Sequence, residues 1–416
     1  MSREMILIRD LIKEITMGPF GSDIKVDNFI DDGIPVLNGS NVTGVKLIEK
    51  SFKYVSEEKA KSLKKANTKR GDVVITHRGT LGQISYIPEN SKYDNYIISQ
   101  SQFRVTLNRD LVDPIYFTYY FHSSEGQKRL LSFKNHVGVP ALAQATTNFR
   151  LLEFPYRSLE KQLQISKVLS DLDTKIELNN KINKELEAMA KLIYDYWFVQ
   201  FDFPNEQGKP YKSSGGKMVY NEELKRDIPV GWEVKILSEI ANITMGQSPS
   251  GSSYNDEEKG EIFFQGSTDF GWRYPTIRQY TTEPSRMAKI GNILLSVRAP
   301  VGTINIADND CCIGRGLAAL NSKDEATSYL FYVMLYFKQI FDYRNNSGTT
   351  FGSITKDDLF SLKLVYPTIE LLKKYDKIVS KYNNKILNNH KQNQQLTALR
   401  DWLLPMLMNG QVTVCD

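Results

Sequence analysis

Two arginines carry side chains suited to reading a base or holding a phosphate. Arg78 follows the apolar run Val73-Val74-Ile75 and precedes Gly79 and Gly82, and Arg298 follows Ile293-Leu294-Leu295 and precedes Gly302. A guanidinium is a rigid fork of donors that fits the paired acceptors of a guanine edge or the oxygens of a phosphate. A structural salt bridge is the competing role for each. Around Arg78, the residues Thr76, His77 and Thr80 can add hydrogen bonds, and Ser296 is the counterpart of Thr76. The run Ser99-Gln100-Ser101-Gln102 offers hydroxyls and amides, and an amide can pair with the edge of adenine; an exposed strand edge has the same composition. Its counterpart in the second half is Arg315, between Gly314 and Gly316. Lys25 in the loop 22–25, and Gln265 and Ser267 in the loop 265–269, complete the candidate readers. A basic run, Lys59, Lys61, Lys64, Lys65, Lys69 and Arg70, fits a phosphate track and a solvated helix face equally well.

Other chemistries lack their residues. Cys311, Cys312 and Cys415 form no CxxC pair, and His77, His122, His136 and His390 are too scattered for a ligand cluster, so no metal site and no disulfide framework is expected. There is no GxxxxGK[ST] phosphate loop and no HExxH. No two prolines are adjacent, which excludes an Asn-Pro-Pro-Tyr motif. No catalytic residue and no cofactor is expected. The 416 residues, 41% hydrophobic and 24% charged with a net charge of +5, predict two or three globular domains able to meet nucleic acid. No apolar run approaches the roughly 18 residues of a membrane span, and the first fifteen residues lack a signal peptide's apolar block, so a cytoplasmic protein with no membrane partner is expected.

The elements that must hold these residues come in two copies. Ile15-Thr16-Met17-Gly18 matches Ile243-Thr244-Met245-Gly246, Gly71-Asp72-Val73-Val74-Ile75 answers Gly291-Asn292-Ile293-Leu294-Leu295, and Leu152-Glu153-Phe154-Pro155 answers Leu364-Val365-Tyr366-Pro367. The order is kept throughout. Each copy opens with short β-type runs broken by Gly, Pro and Asn, together with a helical stretch whose aromatics (Tyr116, Phe117, Tyr119, Tyr120; Tyr329, Phe331, Tyr332, Tyr336, Phe337) are expected in the core. Each closes with a long helix. Apolar residues recur near a period of 3.5 at Ile165, Val168, Leu172, Ile182, Leu186, Met189 and Ile193, and again at Tyr375, Ile378, Tyr382, Ile386, Leu396, Leu399 and Leu403. Asn179 and Asn389 interrupt both seams at the same place, as do Lys175 and Lys385. Matched breaks predict two helices paired in fixed register, solvent-facing positions being the alternative. The stretch PNEQGKPYKSSGGK from Pro204 reads as a flexible surface loop. Gly138 and Gly348 are expected as matched structural turns.

The chain order is domain, helix, domain, helix. If the helices pair antiparallel, the copies are related by an approximate two-fold axis, as are half-sites on a duplex, which lie about 34–36 Å apart when one turn separates them. A helix of about 40 residues reaches about 60 Å. The two domains differ in sequence, so the expected target is bipartite and asymmetric, with an unread spacer.

GDVVITHRGTLG from Gly71, GNILLSVRAPVG from Gly291, the junction segments IYDYWFVQFDFP from Ile193 and IPVGWEV from Ile228, and the ending LRDWLLPMLMNGQV from Leu399 together resemble the specificity subunit of Type I restriction–modification systems, over essentially the whole chain. The resemblance implies a non-catalytic subunit that reads double-stranded DNA, one target-recognition domain per half-site. It implies docking of two modification (methyltransferase) subunits on the helices, with motor-nuclease restriction subunits joining the full complex. S-adenosylmethionine, ATP and magnesium then belong to partner subunits. The expected fold class is α+β: two β-rich α/β target-recognition domains joined by two long antiparallel coiled-coil helices, as a pseudo-two-fold internal repeat. The boundaries are 1–157 and 230–367 for the domains, 158–203 and 368–410 for the spacer helices, 204–229 for the linker and 411–416 for the tail. The seam is expected at Ile165, Leu172, Asn179, Leu186 and Ile193 against Tyr382, Asn389, Leu396 and Leu403.

Two features depart from the pattern. The first domain has 22 basic and 17 acidic residues, +5, and the second 13 and 15, −2. Gln392 stands where the first helix has Ile182, which predicts a looser seam or a face turned to a partner. A coiled-coil scaffold whose two β-rich lobes bind proteins rather than DNA, and a duplicated enzyme with an unrecognised site, are the alternative readings.

Overall fold

A computed structural model describes residues 4–135, 139–346 and 353–414. Gly138, Gly348, His136 and Cys415 lie outside them. The chain divides into two units, Met1–Leu178 with Asn393–Asp416, and Asn179–Gln392.

In the first unit, strands Ile12–Met17, Gln102–Leu107, Val73–Thr76 and Ile84–Tyr86 form an antiparallel sheet in that order. A five-stranded sheet runs Phe29–Ile30, Lys53–Val55, Ile34–Val36, Asn95–Ile97, Asn67–Lys69. The lobe is closed by Met5–Leu7 pairing with Glu153–Pro155. The second unit repeats the plan. Its four-stranded order is Ala241–Met245, Leu317–Ser322, Ile293–Ser296, Ile304–Ile306, and Glu233–Ile236 pairs with Lys363–Tyr366.

Burial explains why the central strands are apolar throughout instead of alternating. Val73 and Ile75 enter the core that holds Phe117 and Phe154, while Val74 points the other way, into the core beneath the five-stranded sheet. Ile293 and Leu295 are separated from Leu294 in the same manner. A strand covered on both faces needs apolar side chains at every position. The helix Pro114–His122 starts with Pro at its first turn and with Tyr116 N donating to Asp113 Oδ2 at 3.0 Å. Of the aromatics expected in the core, all are buried except Tyr336, which is 40% exposed.

The long helices run Leu159–Tyr194, followed by a π-helical turn Asp195–Val199, and Ile369–Asn409. Within each unit they pair antiparallel. In the first, Arg400 Nη1 meets Asp173 Oδ1 at 2.7 Å and Arg157 Nη2 donates to Met408 O at 3.2 Å. In the second, Asn389 Nδ2 donates to Asn183 Oδ1 at 2.8 Å and Tyr375 Oη to Ala190 O at 3.3 Å.

Ile165, Asn179 and Asn389 are buried, and Leu172, Leu186, Ile193, Tyr382, Leu396 and Leu403 are half-buried. Met189, Ile378 and Leu399, placed in the seam by periodicity, are exposed instead, as are Lys175 and Lys385. An α-helix of 3.6 residues per turn drifts about 20° per heptad against a 3.5 repeat, so Leu169 and Val379 take interior positions, while Ile386 is buried as its spacing predicts. Gln392 is exposed, and its Oε1 accepts from Asn179 Nδ2 across the helix pair at 2.8 Å.

Leucine at Asn389 would leave the Asn183 amide without this bond, at a cost of about 1–3 kcal/mol. Leucine at both positions should recover most of that loss, as measured by denaturant titration of the two variants. An equal loss in both would show that the Asn–Asn bond contributes nothing.

Segment 204–229 is folded rather than loose. Asp202 accepts from Ser213 N at 2.7 Å and Ser213 Oγ at 2.6 Å, Phe203 stacks between Tyr211 and Trp232, and Met218–Asn221 forms a hairpin with Arg226–Pro229. The second unit also encloses a charge: the Arg273 side chain is 0% exposed. Among the described residues no helix is long and apolar enough to cross a membrane.

Candidate nucleic-acid interface

Three loops of the first unit meet at one edge of its four-stranded sheet, because Gln102 pairs with Thr76 and Phe103 with Met17. After Thr76 the chain passes His77 and Arg78 and reverses through Gly79 and Gly82, at φ +89° and +85°. His77 N donates to Ser101 O at 2.9 Å, and His77 Nε2 lies 3.2 Å from the Gln100 carbonyl oxygen. Burial holds the His77 imidazole below its usual value, so near neutral pH it is uncharged and offers that carbonyl a single N–H. On the other side Leu142 N donates to His77 O and Gly79 N to Pro140 O, at 2.8 and 2.9 Å. The loop after Met17 closes the cluster. Gly18 N donates to Gln102 O, and a first side-chain carbon on Gly18 would lie 2.0 Å from Ser99 O.

This arrangement exposes Arg78, Thr80, Gln100 and Lys25 and half-buries His77, Ser99 and Ser101. Among the described residues Arg78 has no ion pair, which removes the salt-bridge alternative within them. Thr76 and Gln102 are corrections. Both are buried, Thr76 Oγ1 donating to Gln83 Oε1 at 3.3 Å, and Gln102 accepting from Ser99 N at 3.0 Å while donating to Asn38 O at 3.2 Å. They shape the loops and present nothing to a ligand. Lys25 caps a short turn through its backbone, its N donating to Asn28 Oδ1 at 3.0 Å, and the residue is exposed. The basic run sits elsewhere: Lys69 and Arg70 precede Val73, at the end of that strand opposite Arg78, and Arg70 is held by Asp94 at 2.8 Å.

The second unit builds the same cluster from different side chains. Val297 N donates to Gly316 O and Ile354 N to Val297 O, at 2.9 and 2.8 Å. Gly246 lies against Gly314 O, where an added carbon would come within 2.2 Å. Arg298 is exposed, and Arg315 is exposed at the position of Gln100. Exposed Gln265 joins them, its Nε2 donating to Ser248 Oγ at 2.9 Å, and Ser248 Oγ also receives Arg315 N at 3.2 Å. Among the described residues neither Arg298 nor Arg315 forms an ion pair, so this edge is basic although the domain carries −2. Ser296 is buried with Oγ bonded to Arg298 O at 2.7 Å, a correction matching Thr76. Ser267 is half-buried at the start of the turn Ser267–Asp269.

Sequence reasoning missed Ser248, Gln83 and the bracing stretches 140–142 and 353–354. Ser248 follows the repeated Ile-Thr-Met-Gly by two residues, so extending that match would have found it. Among the described residues no group of three or more His, Cys, Asp or Glu could hold a metal.

The profile of the Type I restriction modification DNA specificity domain matches residues 22–188 and 229–398. The chain belongs to this family. Each of its two halves carries one such DNA specificity domain. A Methanocaldococcus jannaschii protein named "Putative type I restriction enzyme MjaX specificity subunit" is 30% identical, over 92% of this chain and 88% of its own. The HindI specificity subunit of Haemophilus influenzae is 22% identical, over 96% and 99%. The crystal structure of the type I S subunit from M. genitalium superposes with a TM-score of 0.63 at 18% identity, covering 98% of this chain and 96% of that one, a likeness of fold. As a family member the chain is a DNA sequence-specificity subunit, with the α+β duplicated fold of two β-rich domains and two long helices.

Proposed function

We propose that the subunit reads an asymmetric, bipartite duplex target, one loop cluster per half-site, and performs no catalysis. The domains are allotted to residues 1–157 and 230–367, with the helices of 158–203 and 368–410 as spacer, the connection 204–229 between them and a tail at 411–416. Arg78, Thr80 and Gln100, with support from His77, Ser99 and Ser101, read the first half-site, and Lys25 holds a phosphate beside it. Arg298, Arg315 and Gln265, with Ser267 at the margin, read the second. The observation that carries this reading is the pair of loop clusters with the same backbone bracing and different exposed side chains. A repeated frame with unlike readers suits two unlike half-sites. Two methyltransferase subunits dock on the spacer helices and supply the S-adenosylmethionine chemistry, motor-nuclease subunits complete the restriction complex, and the assembly works in the cytoplasm.

Mapping methylated adenines in the host genome tests the proposal. A two-part motif should disappear when the gene is deleted. Exchange of residues 1–157 for those of another family member should change one half of the motif and leave the other intact. A change in both halves, or in neither, would overturn the assignment of one domain to one half-site.

A further inference from the structure

The first loop cluster holds a side chain that no hydrogen-bonding role explains. Phe20 is 82% exposed, the highest value for a large hydrophobic side chain among the described residues. Its backbone is nonetheless fixed. Phe20 N donates to Asp23 Oδ2 and Phe20 O accepts from Asp23 N, both at 2.9 Å, and the ring of Pro19, immediately before it, fixes that residue's own φ. The flanking glycines anchor this turn to the candidate readers. Gly18 lies against Ser99 O, and the Cβ position of Gly21 is 2.5 Å from Gln100 Oε1. An aromatic side chain is therefore exposed to water on a braced turn whose next residue, Gly21, abuts Gln100. The aligned position of the second unit carries no ring. By the Ile-Thr-Met-Gly match, Ser248 takes its place, and that hydroxyl is tied to Gln265.

We infer that Phe20 is a stacking wedge of the first half-site, its ring packing against a base step as the neighbouring readers engage the duplex. A base offers an apolar π-face of any sequence, and phenylalanine wedges partly unstack the steps they enter. Because the turn is already ordered, little conformational freedom is lost on contact. The inference rests on the loop-cluster reading of the first half-site. It adds a sequence preference through deformability, without a hydrogen bond to any base edge.

The test uses the complex assembled with its methyltransferase subunits, on a duplex carrying the target from the methylation map and on one with the first half-site scrambled. Phe20→Ala should weaken binding to the intact target roughly 5- to 150-fold, the range for loss of one aromatic–base stack. Binding to the scrambled duplex and the salt dependence should not move, since no charge is removed. Phe20→Leu should retain more affinity than Phe20→Ala. With 2-aminopurine scanned through the first half-site, the wild type should raise fluorescence at one step and Phe20→Ala should not. Unchanged affinity for the intact target, an equal loss on both duplexes, or loss of bound methyltransferase subunits would each overturn the wedge; the last would assign Phe20 to a protein contact. Arg78→Ala separates the two levels. If it relaxes the first half-site while Phe20→Ala does nothing, the wedge alone fails. If neither variant changes discrimination there, the loop-cluster reading fails with it.

Discussion

Replacing Arg273 with alanine is expected to lower the stability of the second unit by about 3–5 kcal/mol, the cost of leaving one partner of a buried ion pair alone. The fully buried guanidinium meets Glu187 Oε1 at 3.0 Å on the first long helix and Asn383 Oδ1 at 2.7 Å on the second, and lies 4.5 Å from the centroid of the Phe331 ring. Among the described residues its Nε atom has no hydrogen-bond partner, so within them the site carries one unsatisfied donor. Glu187 reports the strain of this position: burial raises its pKa, against the opposing pull of Arg273. A carboxylate raised in the folded state is least costly when protonated, so stability falls as pH rises through the interval between its unfolded and folded values. Without Arg273 that interval widens. The variant should therefore lose less stability at pH 5 than at pH 8. Exchanging both partners, Arg273→Met with Glu187→Leu, should cost far less than the single change. Denaturant unfolding followed by hydrogen exchange within 179–392 measures all of this. A loss below about 1 kcal/mol for the single variant would mean that water reaches the site.

Arg78→Ala and Arg298→Ala should each relax one half of the target and leave the other unaffected. Loss of a two-pronged contact to a guanine edge removes about 1–3 kcal/mol of discrimination, on the order of 5- to 150-fold in relative affinity. Lysine should not rescue either position, because an ammonium is a point charge without the planar fork. If the arginines hold phosphates instead, both variants weaken all duplexes alike and the salt slope falls by about one per residue. Competition between duplexes altered in one half-site at a time, with the assembled complex, distinguishes these outcomes. Relaxation of both halves by a single substitution would contradict the separation of the readers.

The architecture was legible because it is written in patterns that repeat. Two apolar runs ending in an arginine and a glycine turn became the same strand and the same loop in both lobes, and the long periodic stretches became helices. The seam was legible only in outline. A 3.5 repeat read over forty residues accumulates rotation that the sequence does not announce, which moved Met189, Ile378 and Leu399 outward. The polar residues were harder still. Thr76, Gln102 and Ser296 have the same chemistry as an exposed reader, and only the fold shows that Gln83, Asn38 O and Arg298 O claim their hydrogen bonds. Arg273 illustrates the limit from the other side. Nothing local distinguishes it from Arg278 five residues on, which is 60% exposed, because its partners lie 86 and 110 residues away.

The manner in which the loop clusters are braced has a bearing on how such a subunit changes over time. His77 to Ser101, Leu142 to His77, Val297 to Gly316 and Ile354 to Val297 are all joined through peptide groups, which every residue except proline supplies equally. The frame is thus indifferent to what the outward side chains are. On the proposed reading, point substitutions at Arg78, Gln100, Arg298 or Arg315 alter what is read with little penalty to folding, so new preferences lie within single mutational steps of the present ones, and one lobe can drift while its twin stays put.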